Sequence, residues 1–166
     1  MKKTYCIFLI VICLLTGCAV DPPTYHFDAS DLKEKATKIV LVECENDNPE
    51  WIEIDEDTFP SFDVASVKLV KELPEDKMEN FIDGLSTITF HIENESVNSP
   101  IGYAVLIYTS EQNVIVLSST TLSNRAYSIA ATFTIEGNFV NLIARFADRS
   151  SFTRLVEECF ECGIFE

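Results

Sequence analysis

The chain is 166 residues long, enough for one domain with a core of its own, and carries 27 acidic against 12 basic residues, a net charge of −15. Such an excess argues against nucleic acid as a partner, since Lys and Arg must neutralise phosphate. It argues equally against a domain lying flat on an anionic membrane, where attraction also needs basic residues.

The first element is apolar. Lys2 and Lys3 precede a nearly unbroken apolar block from Tyr5 to Leu15, within the length of a signal-peptide core. A transmembrane helix needs about 20 such residues to cross roughly 30 Å of hydrocarbon. Thr16-Gly17 interrupts the run, and Asp21, Pro22 and Pro23 stop any helix beyond it. The block therefore reads as a signal peptide over residues 1–17. Leu15-Thr16-Gly17-Cys18 at its end resembles the lipobox of bacterial lipoproteins: a Leu, two small residues, then a Cys. The resemblance covers residues 1–18 alone. It implies that the Cys18 thiol receives a diacylglycerol, with acyl chains of the palmitate kind, and that signal peptidase II cuts after Gly17. It also implies an extracytoplasmic protein of the bacterial cell envelope, held to a membrane by lipid on Cys18. Each buried CH₂ contributes about 0.8 kcal/mol, so two or three chains hold firmly where one holds marginally.

Cleavage there removes Lys2 and Lys3, so the 12 basic residues fall to 10 and the net charge moves from −15 to −17. Residues 18–30 are expected as the lipidated N-terminus and a flexible tether. The stretch "AVDPPTYHFDAS", 19–30, is polar, proline-bearing and unpatterned. At about 3.3–3.6 Å per residue it reaches roughly 40 Å at most. Residues 31–166 are expected as a single α+β domain.

Within that domain, Lys38 to Glu45 is β-rich and apolar on both sides, a buried strand. Asn46 to Pro60 is an acidic loop with a short strand at Trp51–Ile54. "VASVKLVKEL", 64–73, alternates, with Ala65, Val67 and Leu69 on the buried face. Pro74 then opens a helix whose stripe is Met78, Phe81, Ile82 and Leu85, with Glu75 and Asp76 at the positive end of its dipole. Ser86 to Glu93 reads as a strand with Ile88, Phe90 and Ile92 inward. Gly102–Thr109 and Asn113–Ser118 are apolar on both faces and joined as a hairpin. "SSTTLSNR", 118–125, reads as a polar loop. Ala126–Ile135 alternates cleanly, and "EGN" turns it into Phe139–Ala147. Asp148 or Ser150 caps a last helix, with Phe152, Leu155, Val156, Cys159 and Phe160 inward and Arg149, Arg154, Glu157 and Glu158 outward. Strands outnumber helices and do not alternate with them. The expected fold is α+β: a curved, mainly antiparallel sheet with one or two helices on one face.

Three cysteines, Cys44, Cys159 and Cys162, remain beyond Cys18. "ECFEC" holds a C-x-x-C at the C-terminal end of a helix. There the dipole and Glu157, Glu158 and Glu161 work against a reactive thiolate. A zinc site would need two ligands beyond this cysteine pair, and only Cys44, His26, His91 and carboxylates are there to offer them. Ser30-Asp31-Leu32-Lys33 fits S-x-x-K without its partner motifs, and Ser30 reads as a helix N-cap. His26 lies in the tether, and His91 on the polar face of a strand, where it is solvated. Nine carboxylates fall between Glu43 and Asp63. That segment reads as a solvated acidic loop, without the spacing of a calcium hand. No catalytic, cofactor-binding or metal-ligating residue is assigned. The site residues are Cys18 for lipid attachment and Gly17 for signal cleavage. The function read from this is a lipid-anchored, non-enzymatic binding module, immunity- or inhibitor-like, with a basic protein as the partner class. The alternative is a small envelope hydrolase using paired carboxylates.

Overall fold

Strands that are apolar on both faces belong in the middle of a sheet, and there they lie. The computed structural model describes residues 23–44, 50–54, 67–91, 97–122, 125–146 and 148–163. In it β7 (Tyr103–Thr109) pairs with β8 (Asn113–Leu122) on one side and β2 (Ala36–Cys44) on the other. β9 (Arg125–Thr134) and β10 (Phe139–Phe146) continue beyond β8, and β4 (Val67–Glu72) lies beyond β2. Two-residue strands, β5 (Phe90–His91) and β1 (Thr24–Tyr25), extend the β10 edge. The order is β1-β5-β10-β9-β8-β7-β2-β4, an open sheet of six long strands and two short ones. A separate ribbon pairs β3 (Glu50–Ile54) with β6 (Val97–Ile101). Every pair among the described residues is antiparallel.

Three helices, α1 (Ala29–Lys35), α2 (Glu75–Thr87) and α3 (Arg149–Phe160), share one face of this sheet. The proof is in the two core clusters. Leu32, Phe81, Ile82, Leu85, Phe152, Val156 and Phe160 of the helices pack with Ile39, Leu41, Val105, Ile107 and Leu117 of the strands. The alternate strand residues, Val40, Val42, Leu106, Val116, Ile129 and Phe133, form a second buried cluster that contains no helical side chain among the described residues. The fold is α+β with helices on one face, as expected from the element order. α3 is capped by Asp148, whose carboxylate accepts from the Ser151 amide at 3.1 Å.

Several local expectations change. Residues 24–30 are not tether: β1 pairs with β5, Phe27 is 5% exposed, and Asp28, not Ser30, caps α1 by accepting from the Ser30 and Asp31 amides. Seven residues with one buried Leu gave α1 no readable stripe. The strand expected from Ser86 starts later, because α2 runs to Thr87 and leaves Phe90–His91 as β5. Residues 118–122 are not loop but the far end of β8, with Ser119 opposite Ser128 and Leu122 opposite Arg125. In β4 the alternation fails. Leu41 faces Lys71 and Val42 faces Leu69, so Val70 is an extra, bulged residue, and Leu69 is 55% exposed on this outer strand. Arg149 does not face away: it is half-buried, and its Nε donates to Ser119 Oγ at 2.8 Å.

Candidate functional site

Between α1 and the hairpin ends lies a groove of about 470 Å³. Ile115 and Thr132, paired across β8 and β9, contribute to it from the sheet. Tyr25 and Phe27 contribute from the segment that leads into α1, Asp28 as its N-cap, and Asp31, Leu32 and Lys35 from α1 itself. Glu111, in the β7–β8 turn, stands at the far side. That turn is tight: Gln112 takes a positive φ of 61°, and its amide donates back to the Thr109 carbonyl at 3.2 Å.

The groove is apolar below and acidic at its rim. Tyr25 is locked by edge-to-face contacts with Phe27 at 5.2 Å and Phe90 at 6.4 Å. Burial, aided by the charges of Asp31 and Asp28, pushes its phenol above the ordinary tyrosine range. Lys35 spans the rim, with its ammonium 2.9 Å from Asp31 and 3.1 Å from Glu111. Hydrogen bonds to Asp31 and then Glu111 hold its pKa above the usual lysine value. Asp28 is committed to the α1 N-terminus. Among the described residues the lining contains no serine, cysteine or histidine.

The residues singled out by sequence do not gather here. Gly17 and Cys18 lie outside the described residues, as does most of the acidic segment 43–63. Of that segment's carboxylates, Glu43 is the one whose side chain is described. It accepts from the Tyr103 hydroxyl at 3.0 Å and pairs with Lys68 at 3.4 Å, a structural role. Ser30 is exposed on α1, and Lys33 pairs with Asp83 of α2 at 2.7 Å, so the S-x-x-K pattern forms no site. His26 is exposed. His91 is not solvated as expected: it is half-buried, and its Nδ1 is buried with no hydrogen-bond partner among the described residues. Cys159 and Cys162 are free thiols, both half-buried. Among the described residues no group of three His, Cys, Asp or Glu is placed to hold a metal ion, and no helix is long and apolar enough to cross a membrane. The α3 N-terminus holds no open anion site, because its own Asp148 fills it.

The groove was hidden in the sequence because its residues come from four separate segments, and α1 carried no signal. Asp31 and Lys35, one helical turn apart, were the one local hint. No family model, no curated protein and no solved structure matches this chain.

Proposed function

We propose that this chain is a lipid-anchored protein of the bacterial cell envelope that acts as a non-enzymatic binding module, with its anchor at Cys18 and its contact surface at the α1 groove. The anchor rests on one observation: basic start, short apolar block, Leu15-Thr16-Gly17 and Cys18 in that order. The groove supports the binding half. It offers an apolar floor beside Ile115 and Leu32 and carboxylates at the rim, the profile that suits a lysine or arginine side chain of a basic protein. Such a side chain lays its aliphatic stem on apolar surface and keeps its charged head at the polar edge. Lys35 already lies between Asp31 and Glu111, so an incoming cation shares these carboxylates with it or displaces it. An immunity protein or inhibitor that captures a basic toxin or enzyme is a special case of this reading.

Two measurements test it separately. Labelled fatty acid should enter the wild-type chain in a bacterial host and not the Cys18→Ala chain; label in Cys18→Ala overturns the anchor. A lysine-rich peptide should bind saturably, and Asp31→Asn with Glu111→Gln should weaken it at least tenfold, about 1.4 kcal/mol. Equal binding by that double variant overturns the groove and leaves the anchor standing.

A further inference from the structure

We propose that Cys159 and Cys162 are a disulfide site, closed by thiol–disulfide exchange with a low-molecular-weight disulfide, that locks the C-terminal turn of α3. Neither the anchor nor the groove enters this argument. α3 stops at Phe160, and Glu161 takes the left-handed conformation, φ 52° and ψ 49°. The two cysteines thus bracket the end of the helix. Both pack against the helix-side core, so their thiols share one side of the turn, and both keep a part of their surface exposed.

Two residues, Phe160 and Glu161, separate the cysteines, and the chain turns at Glu161. Side chains three apart on a helix have β-carbons about 5–6 Å apart, and a disulfide wants roughly 3.5–4.5 Å. Cys162 lies beyond the helix, and a β-carbon placed on the next residue, Gly163, would meet no atom within 4 Å among the described residues. Closing the bond from helical spacing takes a shift of about 1–2 Å. The rest of the turn is held. Lys71 donates to the Phe160 carbonyl at 2.6 Å, and both Lys71 and Lys77 pair with Glu161.

The chemistry balances. One cysteine thiolate attacks a sulfur of glutathione disulfide and expels a glutathione thiolate. The second cysteine thiolate attacks the mixed disulfide, forms the Cys159–Cys162 bond and expels the second glutathione. The protein loses two hydrogens, and glutathione disulfide gains them. Burial raises both thiol pKa values, with Glu158 adding to the effect at Cys159 and Lys71 opposing it at Cys162. High-pKa thiols are poor leaving groups, so the bridge resists exchange once formed. It is a lock rather than an oxidoreductase centre.

Trypsin isolates the pair, because residues 155–166 contain Cys159 and Cys162 and no other cysteine, lysine or arginine. The full chain, native in detergent, is treated with glutathione disulfide, alkylated and digested. The peptide should appear unalkylated and two hydrogens lighter, and should take two alkyl groups after dithiothreitol. At least one of Cys159→Ser and Cys162→Ser should retain a glutathione adduct, showing that the remaining thiol is reachable. A doubly alkylated wild-type peptide, a persistent glutathione adduct on it, a link to Cys44, or no adduct on either variant would each overturn the proposal.

Discussion

Phe160 is the sharpest test of how α3 holds the sheet. Its side chain is fully buried, and its ring meets Phe81 of α2 edge-to-face, centroids 5.9 Å apart at 81°. Truncating a buried Phe to Ala costs about 3–5 kcal/mol through lost transfer energy and the cavity left behind. The aromatic contact adds about 0.5–1.5 kcal/mol beyond area burial. The site cannot collapse easily, because Lys71 holds the Phe160 carbonyl and Lys77 holds Glu161, keeping the turn in place. Phe160→Ala should therefore fall at the upper end, near 4–5 kcal/mol. That is a large share of a typical total of about 5–15 kcal/mol. Glu158→Ala, exposed on the same helix, should stay within about ±0.5 kcal/mol. Urea midpoints at constant m-value give both numbers. A cycle with Phe81→Ala should return a coupling of about 0.5–1.5 kcal/mol. Equal, small shifts for Phe160→Ala and Glu158→Ala would refute the packing of α3, and zero coupling would refute the ring contact.

Asp148 accepts from Ser150 and Ser151, which pulls its pKa down from 3.8 to about 2. A group depressed in the folded state contributes above its unfolded pKa and loses that contribution as pH falls through the folded one. The stability gap between wild type and Asp148→Ala should thus be full at pH 7 and shrink between about pH 4 and pH 2; a gap independent of pH over that range in matched melts would contradict the capping geometry. A β-carbon at Gly84 on α2 would overlap Leu155 Cδ1 of α3. Gly84→Val should cost about 1–3 kcal/mol by overpacking, and Leu155→Ala in the same chain should recover part of it in thermal melts; no recovery would mean that another neighbour sets the limit.

What was legible followed the two periodicities. The stripe Met78, Phe81, Ile82 and Leu85 and the both-face apolar strands β7 and β8 announced themselves, because burial on one helical stripe or on two sheet faces leaves a composition signal. β4 misled because one bulged residue, Val70, breaks a period of two, and sequence does not announce bulges. Residues 118–122 misled for another reason. Ser118 and Ser119 are polar in sequence yet nearly fully buried, their hydroxyls satisfied by the Tyr103 carbonyl and the Arg149 guanidinium, 15 and 30 residues away. Hydroxyls bury readily once such partners exist, and the partners are not local. The groove failed to show for the same cause, being a meeting of α1 with three turns and strand segments distant in sequence.

The correction to the tether changes what the proposed anchor does. A leash ending at Ser30 would let the domain stand roughly 40 Å from its lipid. The fold instead begins pairing at Thr24, and six residues reach about 22 Å at most. Tyr25, the next residue, already lines the groove. On the lipid-anchor reading, the groove is therefore held close to the headgroups rather than presented far into solution. The chain's net negative charge, −15 over its full length, opposes adhesion to an anionic surface, yet that repulsion is screened beyond about 8–10 Å at ordinary ionic strength. With such an anchor, a short leash and short-ranged repulsion together would fix a narrow standing distance. A basic partner drawn to the same anionic surface would be concentrated in the layer of the groove, where it would compete with Lys35 for Asp31 and Glu111. If the chain is anchored at Cys18 as proposed, a short leash would favour such binding, because it would confine the groove to the zone where positive charge collects.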